Sequence, residues 1–149
     1  MILWLLLAAF IVLADQILKI LVSSNMELFE SFALVPYLFN ITYVQNKGAA
    51  FSIFSNYTWV LAIISLIFSA VLLIYIIVKR PKHKLLMLSL IMIFAGALGN
   101  AIDRIFLGYV IDYIETAFID FPIFNLADIS ITVGAALLIV YEIFFDREK

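Results

Sequence analysis

The sequence predicts an all-α membrane protein of four transmembrane helices that carries a small sheet outside the membrane. Of its 149 residues, 66% are hydrophobic and only 13% are charged, and the mean hydropathy is +1.19. A soluble domain carries about 25% charged residues, so this chain has too few charges to cover a surface that faces water. Long uncharged runs predict the helices, and one stretch of alternating apolar and polar residues predicts the sheet.

The composition also excludes several classes of protein and site. Disordered chains and nucleic-acid-binding domains need charge or basic clusters that this chain lacks. The sequence has no cysteine and a single histidine, His83, which excludes disulfides, thiolate metal sites and a multi-histidine centre. We therefore expect no metal and no cofactor, and any chemistry must use carboxylates, amides, lysine or arginine.

The four helices are predicted in chain order at about 1–22, 59–78, 85–103 and 129–145. The second and third are built on uncharged runs of 20 and 18 residues, and about 20 apolar residues cross the hydrocarbon core. In the first, the apolar pattern continues past Asp15, Gln16 and Lys19. We interpret this helix as retained, since a cleavable signal peptide would have a basic segment before it and a small-residue cleavage site after it.

The distribution of lysine and arginine predicts the orientation of the bundle. Four of the nine basic residues lie in the turn 79–84 and two in the C-terminal tail, whereas the two other connections carry only Lys47 and Arg104. Positive residues mark the cytoplasmic side of a membrane protein. Both termini are therefore predicted in the cytoplasm, and the connections of about 23–57 and 104–127 outside.

The first outer connection predicts the sheet, within a β region of about 30–56. Phe39–Val44 alternates apolar and polar residues, which is typical of a half-buried strand. Asn46-Lys47-Gly48 is a turn signal, after which Ala49–Phe54 could return as the partner strand. We find no internal repeat and no separate soluble segment, so 1–149 is interpreted as one integral-membrane domain.

Polar side chains of three predicted helices fall at one depth. A carboxylate or amine inside the membrane is costly and is by default a functional hypothesis. At a rise of about 1.5 Å per residue, Asp15 lies about 21 Å along the first helix, and Asn100 and Asp103 lie about 22 Å and about 27 Å along the third. Asp128 stands at the outer start of the fourth helix, so these groups converge near the outer edge of the hydrocarbon.

Spacing also groups these side chains on shared helix faces. The two groups are Asp15 with Lys19, and Asn100 with Asp103 and Arg104. The alternatives to a functional site are a structural salt bridge for the first group and an interface anchor for the second. Ala95 and Gly99 form a small-xxx-small pair that lets a neighbouring helix approach closely.

Asp112 and Asp128, 16 residues apart, are candidates for an acid–base pair because both have apolar neighbours. Two carboxyls brought together in such surroundings cannot both ionise comfortably, so that one keeps a proton while the other can activate a water. From spacing alone this inference is weak, since any two carboxylates admit it. Glu115 and Asp120, in the same connection, are interpreted as solvated loop charges.

Five short motifs together resemble the lipoprotein signal peptidases, also called signal peptidase II, a family of bacterial membrane aspartyl proteases. They are Asp15–Lys19, Asn46–Phe51, Gly99–Arg104, Val110–Tyr113 and Phe124–Asp128. The resemblance covers nearly the full chain and implies four helices with an extracytoplasmic β-cradle. It implies cleavage of the signal peptide from a prolipoprotein, just before a cysteine that bears diacylglycerol. Leu18 and Ser52 depart from the family pattern and put only local pocket contacts in question.

The resemblance also implies the site residues. The catalytic pair carries over to Asp112 and Asp128, and the substrate-binding residues carry over to Asp15, Lys19, Asn46, Asn100, Asp103, Arg104 and Asn125. The implied partners are a diacylglyceryl-prolipoprotein, membrane lipids and an inhibitor of the globomycin type. We expect a monomer in the bacterial cytoplasmic membrane, with its active site near the outer leaflet and no binding of nucleic acid.

Two other classes of protein compete with a peptidase. A small transporter or channel also uses intramembrane charge pairs, but it predicts polar residues through the full depth of the bilayer. The second predicted helix carries no charge and only two serines, Ser65 and Ser69. A non-catalytic assembly subunit would use the aromatic-rich helices as its partner surface, although aromatic residues are also ordinary interface anchors.

Overall fold

The computed structural model describes residues 1–48 and 58–145, which form four long apolar helices and one three-stranded antiparallel sheet. The elements are α1 (Ile2–Asn25), β1 (Ser31–Val35), β2 (Phe39–Asn46), α2 (Thr58–Lys79), α3 (Lys84–Phe106), β3 (Val110–Thr116) and α4 (Leu126–Phe144). The predicted fold class, four membrane-spanning helices with a small sheet, is confirmed. α1 continues three residues beyond its predicted end, since the helix includes Ser23, Ser24 and Asn25.

α3 is the central helix of the bundle. Its most apolar stretch is 61% buried, against 17% for the corresponding stretches of α1, α2 and α4. α3 packs against each of the three other helices, and their outward faces carry many exposed large apolar side chains. Helices that are apolar all round belong in lipid, so the surroundings that suit these outward faces are hydrocarbon.

α3 and α4 approach closely at two glycines of α3. A Cβ on Gly96 would lie 2.3 Å from the carbonyl oxygen of Ala127, and a Cβ on Gly99 would lie 3.3 Å from the Ala127 Cβ. The small-residue pair predicted at Ala95 and Gly99 was not assigned to a particular neighbouring helix. Gly99 lies close to α1 as well as to α4, since an added Cβ would be 2.8 Å from Asp15, and Ala95 packs in the apolar cluster that includes Ala8 of α1 and Ile76 of α2. The second small residue of α3 against α4 is Gly96.

The sheet has the strand order β1-β2-β3, with both pairings antiparallel. The predicted strand at Phe39–Val44 is confirmed as β2, which runs on to Asn46. Its predicted return strand, Ala49–Phe54, lies outside the described residues. The described partners of β2 are β1 and β3, and the sequence did not predict β3 as a strand. Register between β2 and β3 places Asn46 opposite Val110 and Val44 opposite Asp112.

Glu115 is a strand residue of β3, so its interpretation as a solvated loop charge was wrong. Its carboxylate accepts hydrogen bonds from Thr42 and Asn40 of β2 and from Ser31 of β1. These hydrogen bonds, the one from Thr42 first, lower the pKa of Glu115 below its ordinary value. The carboxylate thus ties the three strands together on one face of the sheet.

The sheet is anchored to the end of α1. Tyr43 of β2 and Ile111 and Tyr113 of β3 form a buried cluster against Val22 and Met26. This contact fixes the position of β3 relative to the helices. Asp112, which lies between two members of the cluster, is thereby held at the end of the bundle.

Candidate active site

The N-terminus of α4 fixes the position of Asp128. Asn125 is the N-cap, and its side-chain oxygen accepts the backbone N–H of Asp128 at 2.9 Å. In return the Asp128 carboxylate accepts the backbone N–H of Asn125 at 3.1 Å. This reciprocal pair is a capping box, which satisfies two N–H groups and restrains both side chains.

Asp112 is placed beside Asp128 by the same asparagine. Its carboxylate accepts Asn125 Nδ2 at 2.7 Å on one oxygen and Asn46 Nδ2 at 3.0 Å on the other. Asn125 is fully buried and Asp112 is 3% exposed. A neutral amide therefore bridges the two aspartates without adding a charge between them.

Asn100 connects this pair to α1. Its side-chain oxygen accepts Lys19 Nζ at 3.0 Å and Asn125 Nδ2 at 3.1 Å, and its own Nδ2 donates to Asp128 at 2.7 Å. The side-chain oxygen of Asn100 thus accepts from two donors, and its side-chain nitrogen donates to a carboxylate. The arrangement sets the orientation of the Asn100 side chain without ambiguity.

A buried ionic cluster lies behind the two aspartates. Lys19 Nζ is 2.9 Å from Asp15 and 3.0 Å from Asp103, which confirms the predicted pairing of Asp15 with Lys19. The three side chains are 0 to 2% exposed. The backbone N–H of Ile111 donates to Asp103, and that of Ala127 donates to Asp15, so each carboxylate also holds a second element. Such a cluster persists in a low-dielectric interior because hydrogen bonds complete the ion pairing.

A cavity of about 440 Å³ opens beside the aspartates. Its polar lining is Asn46, Asn100, Arg104, Asp112 and Asp128. The rest is largely apolar and comes from β3, the segment before α4 and the first turns of α4: Val110, Phe121, Pro122, Ile123, Phe124, Ile129, Ile131, Thr132 and Val133. The nine residues predicted for the site are therefore all brought together, but Asp15, Lys19, Asp103 and Asn125 lie behind the cavity wall.

Arg104 is the cation that lines this cavity. It donates through Nη2 to the carbonyl oxygen of Gly48 at 3.2 Å. Within 1–48 and 58–145 its buried Nε has no hydrogen-bond partner. The carboxyl groups of Asp128, Asp112 and Asp103 lie near enough to interact electrostatically with the guanidinium. A carbonyl or carboxylate of a bound molecule would therefore meet a positive group next to the aspartates.

The surroundings of Asp112 favour its protonated form. Burial first, and the charge of Asp128 second, raise the pKa of Asp112 to about 7, against the opposing effect of its hydrogen bonds from Asn46 and Asn125. Two carboxyls that interact in this way hold one proton between them near neutral pH.

Within the described part of the chain, no group of three or more His, Cys, Asp or Glu side chains is arranged to hold a metal ion.

Two residues of this network were missed by the sequence analysis as candidates. Gln16 donates to Asp103 at 3.0 Å and to the carbonyl oxygen of Gly99 at 3.2 Å. Its position next to Asp15 was a usable signal. The hydroxyl of Tyr113 accepts the N–H of Leu126 at 3.3 Å. Tyr113 closes the motif Val110–Tyr113, but in the sequence it is interpreted only as an apolar neighbour of Asp112.

Comparison with known proteins gives one consistent result. A family model described as signal peptidase (SPase) II matches residues 7–144. The chain is 44% identical to a lipoprotein signal peptidase of Streptococcus thermophilus over 126 residues, which is 85% of this chain and 82% of that protein. It is 41% identical to a lipoprotein signal peptidase of Staphylococcus aureus over 138 residues, 91% of this chain and 84% of that protein.

A solved structure shares the fold. It is described as a bacterial membrane enzyme, and it superposes with a TM-score of 0.90 at 36% identity, covering 98% of this chain and 91% of that chain. The similarity therefore extends over the helices and the sheet together, and covers the elements that carry the two aspartates.

Proposed function

The chain belongs to the signal peptidase II family and removes signal peptides from prolipoproteins, and we propose that it does so as an aspartyl endopeptidase with Asp112 and Asp128 as its catalytic pair. One observation carries the proposal: the two carboxylates line the same cavity, and Asn125 donates to both, through its side-chain Nδ2 to Asp112 and through its backbone N–H to Asp128. An aspartic mechanism needs two carboxyls that share one proton. The transporter alternative is not favoured, because the relatives are peptidases.

The environments of the two aspartates suggest which one holds the resting proton. Asp112 is the more buried of the two, and its pKa is raised to about 7. Asp128 lies in the first turn of α4, where the partial positive charge of the helix N-terminus favours an anion. We therefore assign the proton to Asp112 and the negative charge to Asp128.

The reaction then follows the general acid–base scheme for amide hydrolysis. Asp128 takes a proton from a water molecule, whose oxygen attacks the scissile carbonyl carbon, while Asp112 gives its proton to the carbonyl oxygen. The tetrahedral intermediate collapses when the C–N bond breaks. Asp128 returns its proton to the leaving amine, and Asp112 recovers one from the intermediate, so both carboxyls regain their starting states.

The cavity wall fits a lipid-modified substrate. Its apolar side chains suit a signal helix and the acyl chains of a diacylglyceryl group, whereas Arg104, Asn46 and Asn100 offer polar contacts for the peptide backbone. The proposed cleavage point is just before the lipidated cysteine. A cyclic peptide inhibitor of the globomycin type would occupy the same cavity.

The proposed setting is the bacterial cytoplasmic membrane, with lipids around the helices and both termini in the cytoplasm. The basic turn 79–84 then faces the cytoplasm, and the aspartates lie near the outer leaflet. We propose a monomer, since the site is assembled from the elements of one chain.

The decisive experiment compares single variants of purified enzyme on a lipidated prolipoprotein, followed by gel shift. Asp112→Asn and Asp128→Asn are expected to lower the cleavage rate by about 10³-fold or more. Asp120→Asn is the matched control, since Asp120 is exposed and outside the cavity lining. Cleavage at the wild-type rate by either dyad variant would disprove the catalytic assignment. A substrate whose cysteine is replaced by serine should remain uncleaved.

A further inference from the structure

Each of the first three backbone N–H groups of α4 donates a hydrogen bond to a different part of the fold. The N–H of Leu126 donates to the hydroxyl of Tyr113 in β3, at 3.3 Å. The N–H of Ala127 meets the carboxylate of Asp15 from α1, at 2.9 Å. The third, of Asp128, meets the side chain of Asn125 at 2.9 Å. The first N–H groups of a helix have no partner within the helix, and a local cap usually satisfies only one or two.

The two outside acceptors are buried and stand apart from the cavity. Asp15 is 0% and Tyr113 4% exposed, and neither is among the residues that line the cavity. A side chain in that position cannot touch a molecule bound in the cavity. Any effect of these groups on the reaction must therefore pass through their neighbours, and the neighbour that Asp15 and Tyr113 share is the first turn of α4.

Asp15 is itself held in place from two sides. Its second oxygen is paired with Lys19 at 2.9 Å. On the other side, a Cβ on Gly99 would lie 2.8 Å from that oxygen, so α3 packs directly against Asp15 at this glycine. The carboxylate that receives the Ala127 N–H is thus fixed relative to α1 and α3 together.

We propose that Asp15 and Tyr113 are positioning residues, which hold the N-terminus of α4 and with it the carboxylate of Asp128 in register with Asp112. The inference rests on the proposed catalytic pair and assigns Asp15 a role other than the substrate binding that the resemblance implies. Asp128 is the third residue of α4, so a shift of the first turn moves its carboxylate by a similar distance. A misplacement of about 1 Å can cost a rate factor of about 100.

Tyr113→Phe tests the hydroxyl with the smallest possible change. Tyr43→Phe is the matched control, because Tyr43 is 6% exposed, belongs to the same buried cluster and also accepts one N–H, from Gln45 at 2.9 Å. Within the part of the chain that the structure describes, the Tyr43 hydroxyl is hydrogen-bonded to Gln45 and Tyr109 and to no residue of α4. We expect Tyr113→Phe to lower kcat about tenfold with KM within about twofold of the wild type, whereas Tyr43→Phe leaves kcat unchanged.

A second pair of variants tests Asp15. Asp15→Asn keeps an oxygen that can accept the Ala127 N–H, whereas Asp15→Leu removes the acceptor while keeping the branching and the number of heavy atoms of the side chain. We expect the asparagine variant to retain at least about tenfold more kcat than the leucine variant, again with little change in KM. Equal losses in the two variants would show that only the charge opposite Lys19 matters, and would overturn the assignment for Asp15.

The outcomes separate this inference from the proposed function. Asp112→Asn and Asp128→Asn are measured beside these variants, with thermal unfolding in detergent as the check on folding. If the dyad variants are inactive while Tyr113→Phe cleaves like Tyr43→Phe, the positioning role of Tyr113 is wrong and the catalytic pair stands. An increase in KM alone would indicate substrate contact and also overturn the inference. Should Tyr113→Phe fail to fold, the Asp15 pair decides.

Discussion

The side-chain amide nitrogen of Asn125 lies 2.7 Å from Oδ1 of Asp112, while the side-chain oxygen of Asn125 caps the helix that carries Asp128. Asn125 therefore fixes the relative position of two carboxylates that belong to a strand and a helix. Because the amide is neutral, it orients both groups without neutralising either. In the proposed mechanism, the proton that the two aspartates share therefore stays available for the reaction.

Asn125→Ala is expected to lower both stability and activity. Loss of an N-cap costs about 0.5 to 2 kcal/mol, and the Oδ1 of buried Asp112, which loses its donor while Oδ2 keeps Asn46, adds a further cost of about 1 to 3 kcal/mol. We expect the free energy of unfolding, measured in detergent micelles, to fall by about 2 to 4 kcal/mol. Asn25→Ala, at the exposed end of α1, is the control. Equal stability of the two variants would contradict the bridging role.

Lys19→Met removes the only cation of the buried ionic cluster and leaves Asp15 and Asp103 facing each other. Breaking a buried pair by removing one partner costs about 3 to 5 kcal/mol, so we expect little folded protein. Lys84→Met, an exposed lysine, should behave as the wild type. Adding Asp103→Asn to Lys19→Met should restore part of the lost stability. Yield and thermal unfolding measure both effects, and wild-type stability of Lys19→Met would refute the cluster's role.

The pKa of Asp112, raised from 3.8 to about 7, predicts how activity depends on pH. In the proposed mechanism Asp112 acts as the acid only when it is protonated, so kcat/KM should decline as the pH rises through about 7. The measurement is the initial cleavage rate across the pH range in a fixed detergent. A rate that stays constant well above pH 7 would contradict the assignment of the resting proton to Asp112.

The same shift predicts how stability depends on pH. The folded protein holds the proton of Asp112 more tightly than the unfolded chain does, so this group stabilises the fold fully at pH values below 3.8. That contribution is lost as the pH rises through about 7. Asp112→Asn cannot titrate, so its free energy of unfolding should decline less between these pH values than that of the wild type. Parallel declines in the two proteins would count against the raised pKa.

Gly96→Ala should disturb the contact between α3 and α4. The added Cβ would meet the carbonyl oxygen of Ala127 at 2.3 Å, and backbone cannot yield as a side-chain end can. Overpacking of this kind costs about 1 to 3 kcal/mol, and here it also pushes the first turn of α4. Gly108→Ala is the comparison, because its Cβ meets open space and only its φ of +80° costs about 1 to 2 kcal/mol. We expect kcat to fall in the first variant only.

The catalytic pair, Asn46 and Asn125 were predicted by the resemblance to signal peptidase II. The membrane class, the four helices, strand β2 and the depth that Asp15, Asn100 and Asp103 share were predicted from the pattern of the sequence alone. These properties depend on local quantities: hydropathy over about 20 residues, alternation along one strand, and the cost of a charge in hydrocarbon. That cost explains why so few polar residues were needed to find the site. Asp15, Asn100 and Asp103 were predicted at one depth from the helix rise alone, and their contacts through Lys19 agree with that prediction.

Only the tertiary structure decided the pairing of β3 with β2 and the contact of α4 with Gly96 of α3. It also decided which hydrogen-bond partner each buried polar group has. Asn46 and Asp112 are 66 positions apart, and Asp15 and Ala127 are 112 apart. Hydrogen bonds over such separations depend on how the helices and strands pack, and no local pattern records them. The proposed roles of Asp15 and Tyr113 at the start of α4 can be inferred only from the tertiary structure. The first N–H groups of a helix have no partner within the helix, so their acceptors are set by which residues pack against its N-terminus.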